Sequence, residues 1–220
     1  MSAKEKTDPP ELLIVGAGGH ARELLWLARR IFAPDQRIRV AVESGWAAPS
    51  DLHGVAVESL DLIEAELRGV GYIVAVGHSA ARAAIATRLD AAGALATVLI
   101  DPSVQHSPHI RIGPGSVICA ASVLTCDIEI GRHVHVNAGC LIHHDCRIGD
   151  FATLSPGVRI AGHVEISAHA FIGIGATLIN GSADKPLKIG QGAIVGAGAC
   201  VTREVPAAAL VAGVPAVIKD

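Results

Sequence analysis

From Ile112 onward an aliphatic residue returns at every sixth position: Ile112, Ile118, Leu124, Ile130, Val136, Ile142, Ile148, Leu154, Ile160, Ile166, Ile172 and Leu178. The residue four places after each of these is small or β-branched, as at Ser116, Ser122, Val134, Cys140, Cys146, Ala152 and Ala176. A period of six is neither the 3.6 of a helix nor the simple alternation of a half-buried strand. It predicts a short strand and a tight turn, repeated. Three such units, about 18 residues, close one triangular coil whose aliphatic side chains point inward and stack on the next coil. Glycine often follows the aliphatic residue, as in Ile130-Gly131, Ile148-Gly149, Ile172-Gly173 and Ile189-Gly190. These glycines are expected to supply backbone freedom at the corners. The series breaks once, between Leu178 and Ile189, and resumes at Ile189, Val195 and Val201. The polar, Pro-containing segment 180–186 is read as a loop projecting from one corner.

The first hundred residues follow another rhythm. Leu12-Leu13-Ile14-Val15 reads as a short buried strand running into Gly16-Ala17-Gly18-Gly19-His20-Ala21 and then a helix over Arg22 to Ile31. A second strand, Ile38 to Val42, ends at Glu43, and Tyr72 to Gly77 reads as a third. A helix over about Ala80 to Ala92 and a last strand, Thr97 to Ile100, complete the segment. Alternation of strand and helix predicts a small parallel sheet flanked by helices. The boundaries expected are a tail at 1–10, a Rossmann-like α/β domain at 11–99 and a β-helix at 100–220. The Gly16–Gly19 loop, after a strand and before a helix, is built for a phosphate at a helix N-terminus. About ninety residues is short for a full dinucleotide domain, so a nucleotide or nucleotide-sugar is favoured over NAD, with a ligand-free turn as the bland alternative.

Composition narrows the class. Half of the 220 residues are hydrophobic, only 3% are aromatic and 18% are charged, so the interior is aliphatic and global disorder is excluded. The formal charge is −3 with no Lys/Arg run, which argues against a non-specific nucleic-acid binder. Every apolar run is interrupted before membrane-spanning length, and the first ten residues carry no signal-peptide core. Five scattered cysteines without a CxxC pair suit reduced residues in a cytoplasm.

The pairing of the two patterns resembles the hexapeptide-repeat sugar acetyltransferases, which include sialic acid O-acetyltransferases and the bacillosamine- and perosamine-type 4-amino-sugar N-acetyltransferases. The resemblance covers nearly the whole chain. It rests on Gly16-Ala17-Gly18-Gly19-His20, on Ile73-Val74-Ala75-Val76-Gly77, on Ile142-His143-His144-Asp145-Cys146-Arg147-Ile148-Gly149-Asp150 and on Gly213-Val214-Pro215-Ala216. It implies a left-handed parallel β-helix, a hand that the general preference for right-handed crossovers does not give. It also implies a homotrimer, a nucleotide-sugar held by the N-terminal domain, and acetyl-CoA as co-substrate in a groove between subunits. The product would feed surface-glycan synthesis.

Acetyl transfer from a thioester needs a base, and a histidine can take the proton at neutral pH when a carboxylate fixes its tautomer. Residue chemistry alone leaves His143 and His144 as rivals. The resemblance selects His144 as base and Asp145 as its partner, with Asp standing where relatives commonly carry Glu. Adjacent residues on a strand point opposite ways, so the pair needs a corner. For the sugar-nucleotide the resemblance implies Gly16, Gly18, Gly19, His20, Glu43, Gly77, His78, Asn137 and Thr153. For acetyl-CoA it implies Gly162, whose amide would meet the developing oxyanion, with Ile174, Gly196 and Ala197 along the pantetheine. His133, His163 and His169 share a recurring corner position and are read as structural. No metal is expected. The alternatives are an O-acetyltransferase, an NAD-dependent enzyme, a non-catalytic scaffold, and a gamma-type zinc enzyme, whose His pair five residues apart is absent here.

Overall fold

The computed structural model describes residues 11–219; the tail expected at 1–10 lies outside the described residues. Contacts divide the chain into two units, one comprising the residues up to Val76 with Ile85–Thr97, the other Gly77–Ala84 with Val98 onward.

In the first unit, β1 (Glu11–Val15), β2 (Arg37–Val42), β3 (Asp51–Leu52), β4 (Val55–Ser59), β5 (Gly71–Val74) and β6 (Leu95–Ala96) form one sheet in the order β3-β4-β2-β1-β5-β6. All pairings are parallel except the β3–β4 hairpin. The central strands are apolar on both faces, as a covered parallel sheet requires: Leu12, Leu13, Ile14, Tyr72 and Ile73 are fully buried. Helix α1 (Gly19–Ile31) buries Ala21, Leu24, Leu25, Leu27 and Ala28, a helical stripe, and leaves Trp26 outside under the Arg30 guanidinium. A short helix α2 (Leu60–Ile63) follows β4, and α3 (Ser79–Ala91) follows β5. The hairpin and α2 were not legible in the sequence.

The second unit is a parallel β-helix. Its strands stack in three sheets, with partners such as Val117, His135 and Thr153 eighteen residues apart in register. The six-residue aliphatic series from Ile118 to Leu178 lines the interior, and Cys140, Cys146, Ala152, Ala170 and Ala176 fill the narrower positions. Beyond Leu178 the register shifts: Val164 pairs with Leu187, so residues 182–186 leave the coil and the stack resumes unchanged. Of the expected strand Thr97 to Ile100, Leu99–Ile100 is strand and Thr97 and Val98 are not. Leu95–Ala96 closes the α/β sheet, while Leu99–Ile100 pairs with Val117–Ile118 as the first rung of the β-helix.

The corners differ from expectation. Left-handed backbone occurs at every sixth residue from Gly115 to Gly175, including Asp127, His133, Asp145, Phe151, His163 and His169. The glycines after the aliphatic residues are not in that conformation. They mark close approach between coils: a Cβ on Gly149 would lie 2.5 Å from the Ala168 nitrogen. One corner column carries stacked rings, His133 on Phe151 and Phe151 on His169, with centroids 5.2 and 5.3 Å apart. Sheet by sheet, the outward side chains also align. Arg111, Glu129, Arg147, Glu165 and Lys188 stand in register, an alternating row of charge. Arg111 and Arg147 both reach the Glu129 carboxylate.

Candidate active site

The corner conformation of Asp145 (φ 59°) turns its side chain back beside the preceding residue. The His144 Nδ1–H consequently donates to Asp145 Oδ2 at 2.7 Å, although Asp is one methylene shorter than Glu. That bond assigns the ring proton to Nδ1 and leaves the Nε2 lone pair free for a proton. The imidazole is half exposed. It lies directly over Gly162, eighteen residues on, where a Cβ would come within 2.5 Å of the ring. The Gly162 amide has no acceptor among the described residues, while its carbonyl accepts from Gly181. His143, by contrast, is half-buried and has no side-chain partner among the described residues. Of the two neighbours, it is His144 that pairs with the Asp145 carboxylate among the described residues.

A residue that sequence reasoning set aside joins this group. His163, at the corner one coil beyond Asp145, places Nε2 3.7 Å from the same carboxylate oxygen. Its ring meets that of His144 edge-on with centroids 5.3 Å apart. The eighteen-residue repeat, applied to Asp145, was the signal that could have found it. Asp145 and His163 open onto a groove of about 610 Å³, also lined by Asp127, Glu129, Arg147 and Glu165 and by Ser182, Ala183 and Pro186 of the projecting loop.

The other expected residues are distributed as follows. Gly16, Gly18, Gly19, His20 and Glu43 gather at the carboxyl edge of the α/β sheet, the usual ligand edge of such a sheet. Gly16 has φ 123°, and a Cβ there would sit 2.9 Å from the Ala75 carbonyl oxygen. Gly18 caps α1 with no side-chain bond and open space around it. His20 lies in the first turn of α1, with Nδ1 3.2 Å from Glu23 Oε2. Glu43 stands 4.0 Å from Arg88. His78 caps α3, its Nδ1 accepting from the Ala81 amide at 3.3 Å. Asn137 donates its side-chain amide to the Leu154 carbonyl at 2.9 Å. Ile174, Gly196 and Ala197 lie on successive coils of one edge, where Gly198 donates to the Ile174 carbonyl and a Cβ on Gly173 would meet the Ala197 nitrogen.

Thr153, implied by the resemblance for the sugar-nucleotide, lies on the β-helix strand Thr153–Leu154. It is buried, and its hydroxyl accepts from the Arg82 guanidinium at 3.1 Å. Arg82, fully buried and not singled out in the sequence, donates to the carbonyls of Gly77, His133 and Phe151 as well. Burial pulls its pKa down to about 10. Thr153 and the Gly77 carbonyl therefore hold this cation.

Residues 127–162 match the bacterial transferase hexapeptide (six repeats) family. The chain is 32% identical over 212 residues to GDP-perosamine N-acetyltransferase of Escherichia coli O157:H7, covering 92% of this chain and 93% of that one. WeeI from Acinetobacter baumannii AYE superposes with a TM-score of 0.87 at 33% identity, covering 94% of this chain and 99% of WeeI. PerB from Caulobacter crescentus, solved in complex with CoA and GDP-perosamine, does so with a TM-score of 0.84 at 32% identity, covering 96% and 97%. An α/β unit joined to a left-handed hexapeptide β-helix, matched over nearly its full length to such relatives, makes this chain a member of the hexapeptide-repeat sugar acetyltransferase family.

Proposed function

We propose that the chain transfers the acetyl group of acetyl-CoA to the amino group of a nucleotide-linked 4-amino-deoxy sugar, with His144 as general base. The observation that carries the residue assignment is the His144–Asp145 hydrogen bond of 2.7 Å, formed with the imidazole lying over Gly162. Membership of a family containing GDP-perosamine N-acetyltransferase supports the N-acetyl reading and makes GDP-perosamine the first acceptor to try.

The neutral sugar amine attacks the thioester carbonyl carbon, and its lost proton passes to His144 Nε2. Asp145 stabilises the imidazolium through Nδ1–H. The Gly162 amide meets the oxyanion of the tetrahedral intermediate. Collapse breaks the C–S bond, and the proton on Nε2 goes to the departing thiolate. No metal enters the sequence.

The uncovered α1 N-terminus at Gly18 and Gly19 suits the phosphates of the nucleotide, with His20 and Glu43 as further contacts. Ile174, Gly196 and Ala197 are the pantetheine edge. We further propose a trimer with acetyl-CoA between subunits, acting in the cytoplasm. Phe171, Ile194 and Leu210, aligned in register and 42%, 45% and 41% exposed, support self-association. Among the described residues no helix is long and apolar enough to cross a membrane.

The test is acetyl-CoA turnover with GDP-, UDP- and dTDP-4-amino sugars, alongside free and CMP-linked sialic acid. His144→Asn is expected to lower kcat by about 10²–10⁴-fold on the preferred acceptor. An unchanged kcat in that variant, or no turnover by the native enzyme with any 4-amino sugar, would overturn the reading.

A further inference from the structure

Two imidazoles and a carboxylate converge at one corner of the β-helix. One ligating atom each from His144, Asp145 and His163 lies within 4.8 Å of the others. Asp145 Oδ2 is 2.7 Å from His144 Nδ1 and 3.7 Å from His163 Nε2. These two separations bracket the roughly 3.4 Å between ligand atoms on a tetrahedral zinc with bonds near 2.1 Å, and the two imidazole nitrogens lie within 4.8 Å of each other. All three side chains reach solvent; the adjoining groove adds Asp127 and Glu165, while its Arg111 and Arg147 are turned onto Glu129.

We propose that His144, Asp145 and His163 form an inhibitory site for a divalent transition metal ion of the zinc class. Imidazole and carboxylate together suit such ions, and a fourth position is left for water. The consequence follows from which ring nitrogen is used. Ligation takes the lone pair of His144 Nδ1, so the proton on Nδ1 moves to Nε2. The ring stays neutral, but Nε2 becomes a donor and has no lone pair with which to accept the amine proton. The metal thereby switches the tautomer on which catalysis depends, and it takes the orienting carboxylate as well. The inhibition rests on His144 being the base; the binding does not.

Zinc ion alone is titrated calorimetrically into the full-length protein without CoA, whose thiol takes up zinc itself. One ion per chain is expected to bind, with a rise in melting temperature. Acetylated sugar is then quantified by mass at increasing zinc. Apparent kcat should fall at least about tenfold at saturation, with the KM for the sugar-nucleotide unchanged, and return on chelation. His163→Asn keeps a residue at home in left-handed backbone. It should lose the calorimetric site, and its turnover, referred to its own zinc-free rate, should no longer respond to zinc. No binding, binding that survives His163→Asn, or binding without loss of turnover overturns the proposal. A His144→Asn variant with full activity overturns the base assignment alone, and the calorimetric titration still decides the metal site.

Discussion

At the scale of single residues, the proposed chemistry turns on how close two atoms of successive coils come. Gly162 has no positive φ, so alanine suits its backbone, yet the added methyl would occupy the space of the His144 ring. Gly162→Ala is therefore expected to displace the imidazole and lower kcat about 10²-fold with little change in melting temperature. Steady-state kinetics and a thermal melt decide this; a normal kcat would remove His144 or its placement from the mechanism. The His144–Asp145 pair was half legible. Residue chemistry nominated histidine and acid together, but strand parity could not say how neighbours share a side, because the answer lies in a left-handed residue at 145. His163 was hidden by its own regularity, since it shares a corner position with His133 and His169. What distinguishes it is the acid beneath it, a relation across eighteen residues rather than along the chain.

At the scale of elements, period six made the β-helix readable, whereas β3 spans two residues and β4 has no fully buried position to carry a pattern. The α/β sheet is also held by a charge cluster that no motif announced. Arg39, largely buried on β2, bonds Glu58 on β4 through both its Nε and a terminal nitrogen at 2.7 Å, and lies 3.4 Å from Glu11 on β1. The Arg39 guanidinium holds the Glu58 carboxyl below its ordinary range, chiefly through these hydrogen bonds. With the folded value lowered, the unfolded chain binds the proton first. The stabilisation is complete above the ordinary carboxylate range and is lost as pH falls through the folded value. Glu58→Gln should accordingly lower the melting temperature at neutral pH and flatten its decline toward acid. Melts across the acid range that run parallel for native and variant protein would refute the coupling.

At the scale of the whole molecule, the row Phe171, Ile194 and Leu210 gives the proposed trimer a surface to test. Sedimentation is expected to find a species three times the 22.5 kDa chain mass. Ile194→Glu would place a charge in the middle of the row, and should shift that species toward monomer and abolish turnover together. A monomeric native protein with full activity would refute the shared site. The excursion at residues 182–186 has a different implication. Because Val164 to Ile166 pair with Leu187 to Ile189 across its base, the extra residues lie outside the stacked rungs of the solenoid. Doubling such a loop costs only about 0.6 kcal/mol of closure entropy. The wall it contributes to the groove beside His163 is thus the part of the enzyme most open to replacement on an otherwise unaltered scaffold.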